Sequence, residues 1–303
     1  MAVKKNKDYW GKRHEQWWDN QEKDDNKVNK KLEKQYAKMS KDVERDIASY
    51  FAKYGKDNVI EFRVLLQDLD DRDRRMLFED MDNFALKYPK YVNLMPVRES
   101  IYKLNRLQGL HQSMNMKLLE LGAFEQQVFE KHLLKTYGKN YKALMVELGL
   151  GSTFVAVSDT VIRNTIYKKW VKGQNFSERI WGNKEKMLGY MQNEFRDGLA
   201  RGDNYKSIAA EMQRRFDVGA YDARRLVTTE AAFVLNQSHS KGYTDNGVEE
   251  YDIDAIMDGK TSVICRNMDG KRFRFDEAEV GLNFPPFHTR CRTTFTGVLD
   301  DFL

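Results

Sequence analysis

The chain has 303 residues, of which 41% are hydrophobic and 32% are charged, and its formal net charge is +5. This apolar fraction is enough for the core of one large domain or two ordinary ones, so disorder along the whole chain is excluded. No run of about 18 apolar residues is present, and the basic N-terminus lacks the apolar stretch of a secretory signal. We therefore expect a protein of the cytoplasm without a membrane partner, whose two cysteines remain reduced.

The first half has the apolar spacing of long helices. A side chain of the apolar stripe recurs every three or four positions between residues 28 and 54, which predicts one long amphipathic helix. The stripe consists of Val28, Leu32, Tyr36, Met39, Val43, Ile47, Tyr50 and Tyr54. Similar spacing predicts a helix from Leu65 to Tyr88, ended by Pro89, and further helices over 101–118 and 124–134. The glycines of the segment 148–152 suggest a hinge, so we predict a helical N-terminal region at 1–150 and a second domain at 151–303.

In the second half the pattern begins as helical and then changes. Helices are predicted over 187–199, 208–216 and 223–241, with a break at residues 201–203 and an end at Gly242. The period becomes two residues over 251–257 and again over 271–275, which is typical of strands. The expected fold class is therefore mainly α with a small C-terminal β region (α+β).

The basic excess of the chain lies in its middle. From Asp159 to Arg215, twelve Lys and Arg residues accompany seven Asp and Glu residues, a balance of +5. Such an excess suits non-specific contact with the phosphates of double-stranded DNA, although a solvated helical surface explains it equally well. The candidate DNA-binding residues flank two tryptophans, Trp170 and Trp181, for which a core position is the alternative. These candidates are Lys168, Lys169, Lys172 and Arg179.

Three spaced motifs near the C-terminus form the most specific pattern in the chain. They are Asp258-x-Lys260-Thr261-Ser262-x-x-Cys265-Arg266, Asp269-Gly270-Lys271-x-Phe273 and Gly281-x-Asn283-x-Pro285-Pro286-Phe287-His288-x-x-Cys291-Arg292, preceded by Arg225-x-x-x-Thr229-Glu230. Together they resemble the phage head morphogenesis domain, the family of the phage Mu F protein and of minor head proteins of Gram-positive phages. The likeness covers roughly residues 160–295. Ser262 and Thr293 stand where some relatives carry cysteines, and Lys260 replaces a frequent arginine.

The resemblance implies a minor capsid protein of a tailed phage rather than an enzyme. Such a protein would lie inside the head near the portal after assembly in the host cytoplasm, and would aid head assembly or DNA delivery. Its implied partners are the portal protein, a scaffold or major capsid protein, and double-stranded DNA. The alternative is a metal-dependent nuclease or hydrolase that uses Cys265, His288 and Cys291. The motif offers no carboxylate cluster or second histidine for that chemistry.

The same three residues are candidate zinc ligands, since zinc prefers sulfur and imidazole nitrogen. A structural site needs a fourth ligand, for which Asp258, His239 or water are the candidates. The alternative is a pair of buried thiols beside a hydrogen-bonded histidine. Both interpretations are compatible with the sequence.

The other residues of the motifs are expected to shape the loops. Asp269-Gly270 is a natural tight turn, and Pro285-Pro286 stiffens the approach to His288. Arg225 and Glu230 are expected to hold the C-terminal loops, with Glu230 bonded to loop amides or to Lys260.

Three tryptophans near the N-terminus have two interpretations. Trp10, Trp17 and Trp18 lie close to one face of a helix. They either fold back into the core or dock on a partner such as the portal, where aromatic anchors supply much of the binding energy.

Overall fold

The computed structural model describes residues 7–150 and 157–298, and this part of the chain is mainly helical with one small antiparallel sheet. The predicted fold class is therefore confirmed. The α-helices are α1 (Lys7–Tyr54), α2 (Phe62–Leu65), α3 (Asp71–Lys87), α4 (Arg106–Glu147), α5 (Asp159–Ile166), α6 (Phe176–Arg201), α7 (Tyr205–Asp245) and α8 (Val263–Met268). Short 3-10 helices cover Pro89–Leu94, Arg98–Lys103 and Phe275–Glu277. The strands are β1 (Glu250–Asp254), β2 (Arg272–Arg274) and β3 (Thr294–Gly297).

The predicted apolar stripe forms the buried face of α1, a single helix of 48 residues. From Val28 to Tyr50 every side chain of the stripe is buried, and Tyr54 at the end of the helix is half-buried. Across the described residues, none of the helices combines the length and the apolar character needed to cross a membrane.

Several predicted helices differ from the observed ones. The segment predicted as one helix from Leu65 to Tyr88 is interrupted, because the Asp70 side chain caps α3 by accepting the amides of Arg72 and Asp73. In contrast, the helices predicted over 208–216 and 223–241 are parts of the continuous α7. The predicted end at Gly242 is wrong.

Close packing explains the glycine inside α7. A Cβ atom at Gly242 would lie 2.8 Å from side-chain atoms of both Leu144 and Met145. The residue is therefore required for the approach of α4, and it does not end the helix. The predicted break before α7 is observed at Gly202, whose φ is +79°.

The chain forms two compact units, and each unit consists of segments that are separated from one another in the sequence. Unit 1 comprises Met1–Asn29, Val128–Phe176 and Arg224–Leu303, and unit 2 comprises Lys30–Gln127 and Ser177–Ala223. The domain division predicted near residue 150 stays a prediction, and in this grouping unit 1 takes residues from both sides of it. The predicted hinge at 148–152 lies partly outside the described residues.

The sheet of unit 1 has the strand order β2-β1-β3, with both pairs antiparallel. Tyr251 of β1 is opposite Phe273 of β2, and Ile253 is opposite Phe295 of β3. β1 ends earlier than the predicted 251–257, because the amide of the next residue, Ala255, donates to the Asp269 carboxylate. The alternating pattern therefore identifies the strand, and the hydrogen bond to the Asp269 side chain determines where the strand ends.

The N-terminal tryptophans belong to the core of unit 1. Trp10, Trp17 and Trp18 are 4%, 9% and 6% exposed. The ring of Trp17 lies 4.5 Å from that of His239 on α7, centroid to centroid. The first of the two interpretations, burial in the core, is the one observed.

Candidate metal centre

Cys265, His288 and Cys291 converge in unit 1 although 22 residues separate the first two. Cys265 lies on α8, and the other two lie in the loop that leads to β3. The Cys265 Sγ atom is 3.1 Å from His288 Nε2 and 3.6 Å from Cys291 Sγ. All three potential ligand atoms lie within 4.8 Å of one another. We call this group the Cys–His cluster.

A side-chain hydrogen bond caps the N-terminus of α8. The Ser262 side chain caps this helix, with its Oγ accepting the Cys265 amide at 3.1 Å. The same hydroxyl lies 2.9 Å from His288 Nε2. Phe287 packs against the buried group formed by Ala255, Cys265 and Cys291. The cluster therefore has an apolar wall, and the Ser262 hydroxyl lies at its edge.

The hydrogen bond made by His288 Nδ1 determines which ring nitrogen carries the proton. Nδ1 lies 2.9 Å from the carbonyl oxygen of Thr289. Because a carbonyl only accepts hydrogen bonds, Nδ1 carries the proton. The lone pair of Nε2 then points at the hydroxyl of Ser262 and the sulfur of Cys265, as a metal-binding imidazole requires.

The contact between the two sulfur atoms shifts their pKa values in opposite directions. The hydrogen bond with Cys265 lowers the pKa of Cys291 to about 6. Backbone amides of Phe287 and Thr293 also donate to this sulfur and favour its thiolate form. The bond to Cys291, together with burial, raises the pKa of Cys265 to about 12. These contacts favour the thiolate at Cys291, and the thiolate is the form that binds metals.

Neither protein side chain expected to complete the ligand set is part of the Cys–His cluster. The Asp258 carboxylate accepts hydrogen bonds from Arg292 at 2.5 Å and from the Lys260 amide at 2.8 Å. The Arg292 guanidinium, more than any other neighbour, holds the pKa of this carboxyl well below its usual range. Asp258 thus closes its own loop, together with Thr261, whose hydroxyl donates to the Ile256 carbonyl.

His239 is also outside the cluster. Its ring is fully buried beside Trp17. Burial and the nearby His14 lower the pKa of His239 to about 3, so the side chain is neutral at physiological pH.

Two hydroxyl residues border the Cys–His cluster, and their contacts with it were not predicted from the sequence. Ser262 contacts His288 directly, and the Thr293 side chain hydrogen-bonds to both sulfurs. These are the positions at which some members of the resembled family carry cysteines. Their place in the motif was the signal that could have identified them.

Helix α7 supports the same loops through its motif residues. The Thr229 hydroxyl donates to the Arg225 carbonyl at 2.7 Å and accepts the Arg290 amide at 3.3 Å. Glu230 is fully buried and accepts the Trp170 indole N–H at 3.0 Å. The Lys260 side chain expected beside Glu230 is exposed, and its backbone amide bonds to Asp258 instead.

The predicted turn at Asp269-Gly270 is present. Gly270 has a φ of +73°, and its amide donates to the Ile253 carbonyl at 2.8 Å. The turn thereby joins α8 to the sheet. The Pro285-Pro286 peptide bond is cis and lies just before His288 in the loop.

The candidate DNA-binding residues divide into two groups. Three lysines between α5 and α6 are exposed, and we call Lys168, Lys169 and Lys172 the basic segment. Arg179 is half-buried on α6 and belongs to unit 2. Both tryptophans are half-buried: Trp170 stacks on a buried phenylalanine at 4.6 Å, and Trp181 donates to Gln126 at 2.6 Å.

Comparison with protein families agrees with the motif. Residues 190–296 match the family described as Phage Mu protein F like protein. This part of the chain is similar to that family. The match covers about a third of the sequence, including the sheet and the Cys–His cluster, and begins downstream of residue 160, where the likeness was expected to begin. It confirms the resemblance to the phage head morphogenesis family and supports a phage head-related protein. Comparisons with curated proteins and with solved structures returned no significant match.

Proposed function

We propose that the chain is a minor capsid protein of a tailed phage that acts inside the head near the portal and aids head assembly or DNA delivery. The observation that carries this proposal is the Mu F-like match over 190–296, which contains the motif residues and their loop structure. Association with the virion, after assembly in the host cytoplasm, follows from the proposal. The proposed protein partners are the portal protein and a scaffold or major capsid protein.

Non-specific binding of double-stranded DNA is the second part of the proposal. The exposed basic segment supports it, because three lysines within five residues can neutralise phosphates and release counterions. The two nearby indoles are half-buried and already pack on or bond to protein side chains, so we assign the binding to the lysines. This binding would therefore depend on charge alone and be independent of DNA sequence.

A hydrolytic alternative has less support. Metal-assisted hydrolysis needs a base or an oriented carboxylate beside the metal. Asp258, an acidic residue of the motif, accepts hydrogen bonds from Arg292 and the Lys260 amide. The hydroxyls of Ser262 and Thr293 do not provide such a base.

Deletion of the gene from the phage that encodes it tests the proposed role. We expect fewer infectious particles, with heads that are malformed or deliver their DNA poorly, and restoration by the wild-type gene supplied from a plasmid. A matched plasmid carries a stop codon early in the same gene. Normal yield and infectivity of the deletion phage, with no change in head morphology by electron microscopy, would contradict the proposal.

A further inference from the structure

We propose that the Cys–His cluster binds one zinc ion through Cys265 Sγ, His288 Nε2 and Cys291 Sγ. The ion would fasten the loop that leads to β3 onto α8. This inference concerns a structural site, and it holds or fails independently of the proposed role in the phage head.

The spacing of the three atoms agrees with a tetrahedral site. With bonds of about 2.3 Å to sulfur and about 2.0 Å to nitrogen, tetrahedral zinc separates two sulfurs by about 3.8 Å and a sulfur from a nitrogen by about 3.5 Å. The observed distances are 3.6 Å between the sulfurs and 3.1 Å between Cys265 Sγ and His288 Nε2, and all three ligand atoms lie within 4.8 Å of one another. Small side-chain movements are therefore sufficient to accommodate the ion.

The surrounding hydrogen bonds orient these atoms as ligands. The Thr289 carbonyl fixes the Nδ1–H tautomer of His288 and leaves Nε2 available. Two backbone amides, from Phe287 and Thr293, donate to the Cys291 sulfur. Backbone donors that stabilise a thiolate, and a carbonyl that orients an imidazole, are the outer partners that metal sites use.

The donor atoms select the type of metal. Two sulfurs and one imidazole nitrogen favour zinc over magnesium or calcium, which require oxygen ligands. The Asp258 carboxylate is held by Arg292 and is not part of the cluster. A hard cation would find no anionic oxygen in the cluster.

The fourth position is the distinctive feature of this site. The hydroxyls of Ser262 and Thr293 border the cluster, and neutral hydroxyls are weaker zinc ligands than thiolates. We assign the fourth position to a water molecule held by these hydroxyls. A third sulfur at position 262, where Oγ lies 2.9 Å from His288 Nε2, should therefore tighten binding.

Metal analysis of the full-length, reduced protein provides the test. Protein from zinc-supplemented cells is assayed for bound metal, then stripped with chelator and titrated with zinc and with Co²⁺. We expect one zinc per chain, and for Co²⁺ the visible bands of a tetrahedral site with sulfur-to-metal charge transfer. Ser262→Cys should lower the zinc dissociation constant at least tenfold, on the order of the changes that ligand-shell substitutions produce.

Variants identify the ligands. Cys291→Ala should lose the bound zinc, whereas Thr289→Ala is the matched control, because it keeps the backbone carbonyl that orients His288. Circular dichroism monitors folding of each variant, and the wild-type and Ser262→Cys titrations decide the matter even where Cys291→Ala unfolds. The proposal is overturned by a reduced wild-type protein that binds neither ion, by unchanged binding in Cys291→Ala, or by isolation of the two sulfurs as a disulfide.

Discussion

Replacing Trp17 with alanine should destabilise the protein severely, because this indole is 9% exposed and packs on the buried ring of His239. A buried indole removes about 200 Å² from water. At about 25 cal/mol per Å² this burial is worth about 5 kcal/mol, an upper value because the unfolded chain also buries surface. We therefore expect the free energy of unfolding to fall by about 3–5 kcal/mol, the range of tryptophan-to-alanine changes in protein cores.

Urea unfolding followed by far-ultraviolet circular dichroism measures this loss. The matched control is Gln16→Ala, an exposed neighbour on the same helix, which should change the free energy of unfolding by less than about 0.5 kcal/mol. A loss below about 1 kcal/mol for Trp17→Ala would refute burial in the core. It would return the N-terminal indoles to the alternative role of partner anchors.

Three further changes test other parts of the structure. Gly122→Ala should lower the free energy of unfolding by about 1–3 kcal/mol, because its Cβ would lie 2.6 Å from the Trp181 ring, whereas Gly182→Ala, with nothing within 4 Å, should raise it by up to about 1 kcal/mol in thermal or urea unfolding. The neutral, buried His239 has a pKa of about 3 against about 6.5 in the unfolded chain, so its contribution is complete above pH 6.5 and is lost as the pH falls toward 3. His239→Gln should therefore reduce the slope of unfolding free energy against pH by about 1.4 kcal/mol per unit near pH 5, and equal slopes would contradict the assignment. Neutralising the basic segment should weaken binding of double-stranded DNA in gel-shift titrations and reduce the salt slope by about 0.9 for each phosphate that is no longer neutralised, while binding that ignores salt would contradict the charge mechanism.

Local patterns in the sequence predicted much of the secondary structure. The stripe from Val28 to Tyr54 identifies α1 because one buried helical face needs an apolar residue every three or four positions. The alternation after residue 250 identifies β1 for the corresponding reason. Gly242 was interpreted as a helix end, because the sequence does not reveal that Leu144 and Met145 pack against it.

The grouping of the chain into units depends on long-range packing that no local pattern contains. Residues 1–29 belong to the same unit as the sheet, which follows from the burial of Trp17 beside His239 and from the bond between His14 and Asp254. Both interactions join residues more than 200 positions apart in the sequence. A boundary based on glycine content near residue 150 could not include them.

The sequence predicted the three potential metal ligands, but it did not predict which other side chains border them. The spacing of Cys265 and His288-x-x-Cys291 identified the three potential ligands, because few other residue types bind zinc. Asp258 was expected nearby, but whether it reaches the cluster depends on its competing bond to Arg292. The hydroxyl residues were regarded as lost ligands, whereas their side chains border the sulfurs and the imidazole.

The most direct test of the proposed function is the protein content of purified heads of the phage that encodes this chain. DNA-filled and empty heads are separated on a density gradient, and each fraction is quantified by mass spectrometry against the major capsid protein. We predict that the chain is present in the heads in far fewer copies than the major capsid protein. Its absence from both fractions, in particles that remain fully infectious, would contradict a role as a minor capsid protein.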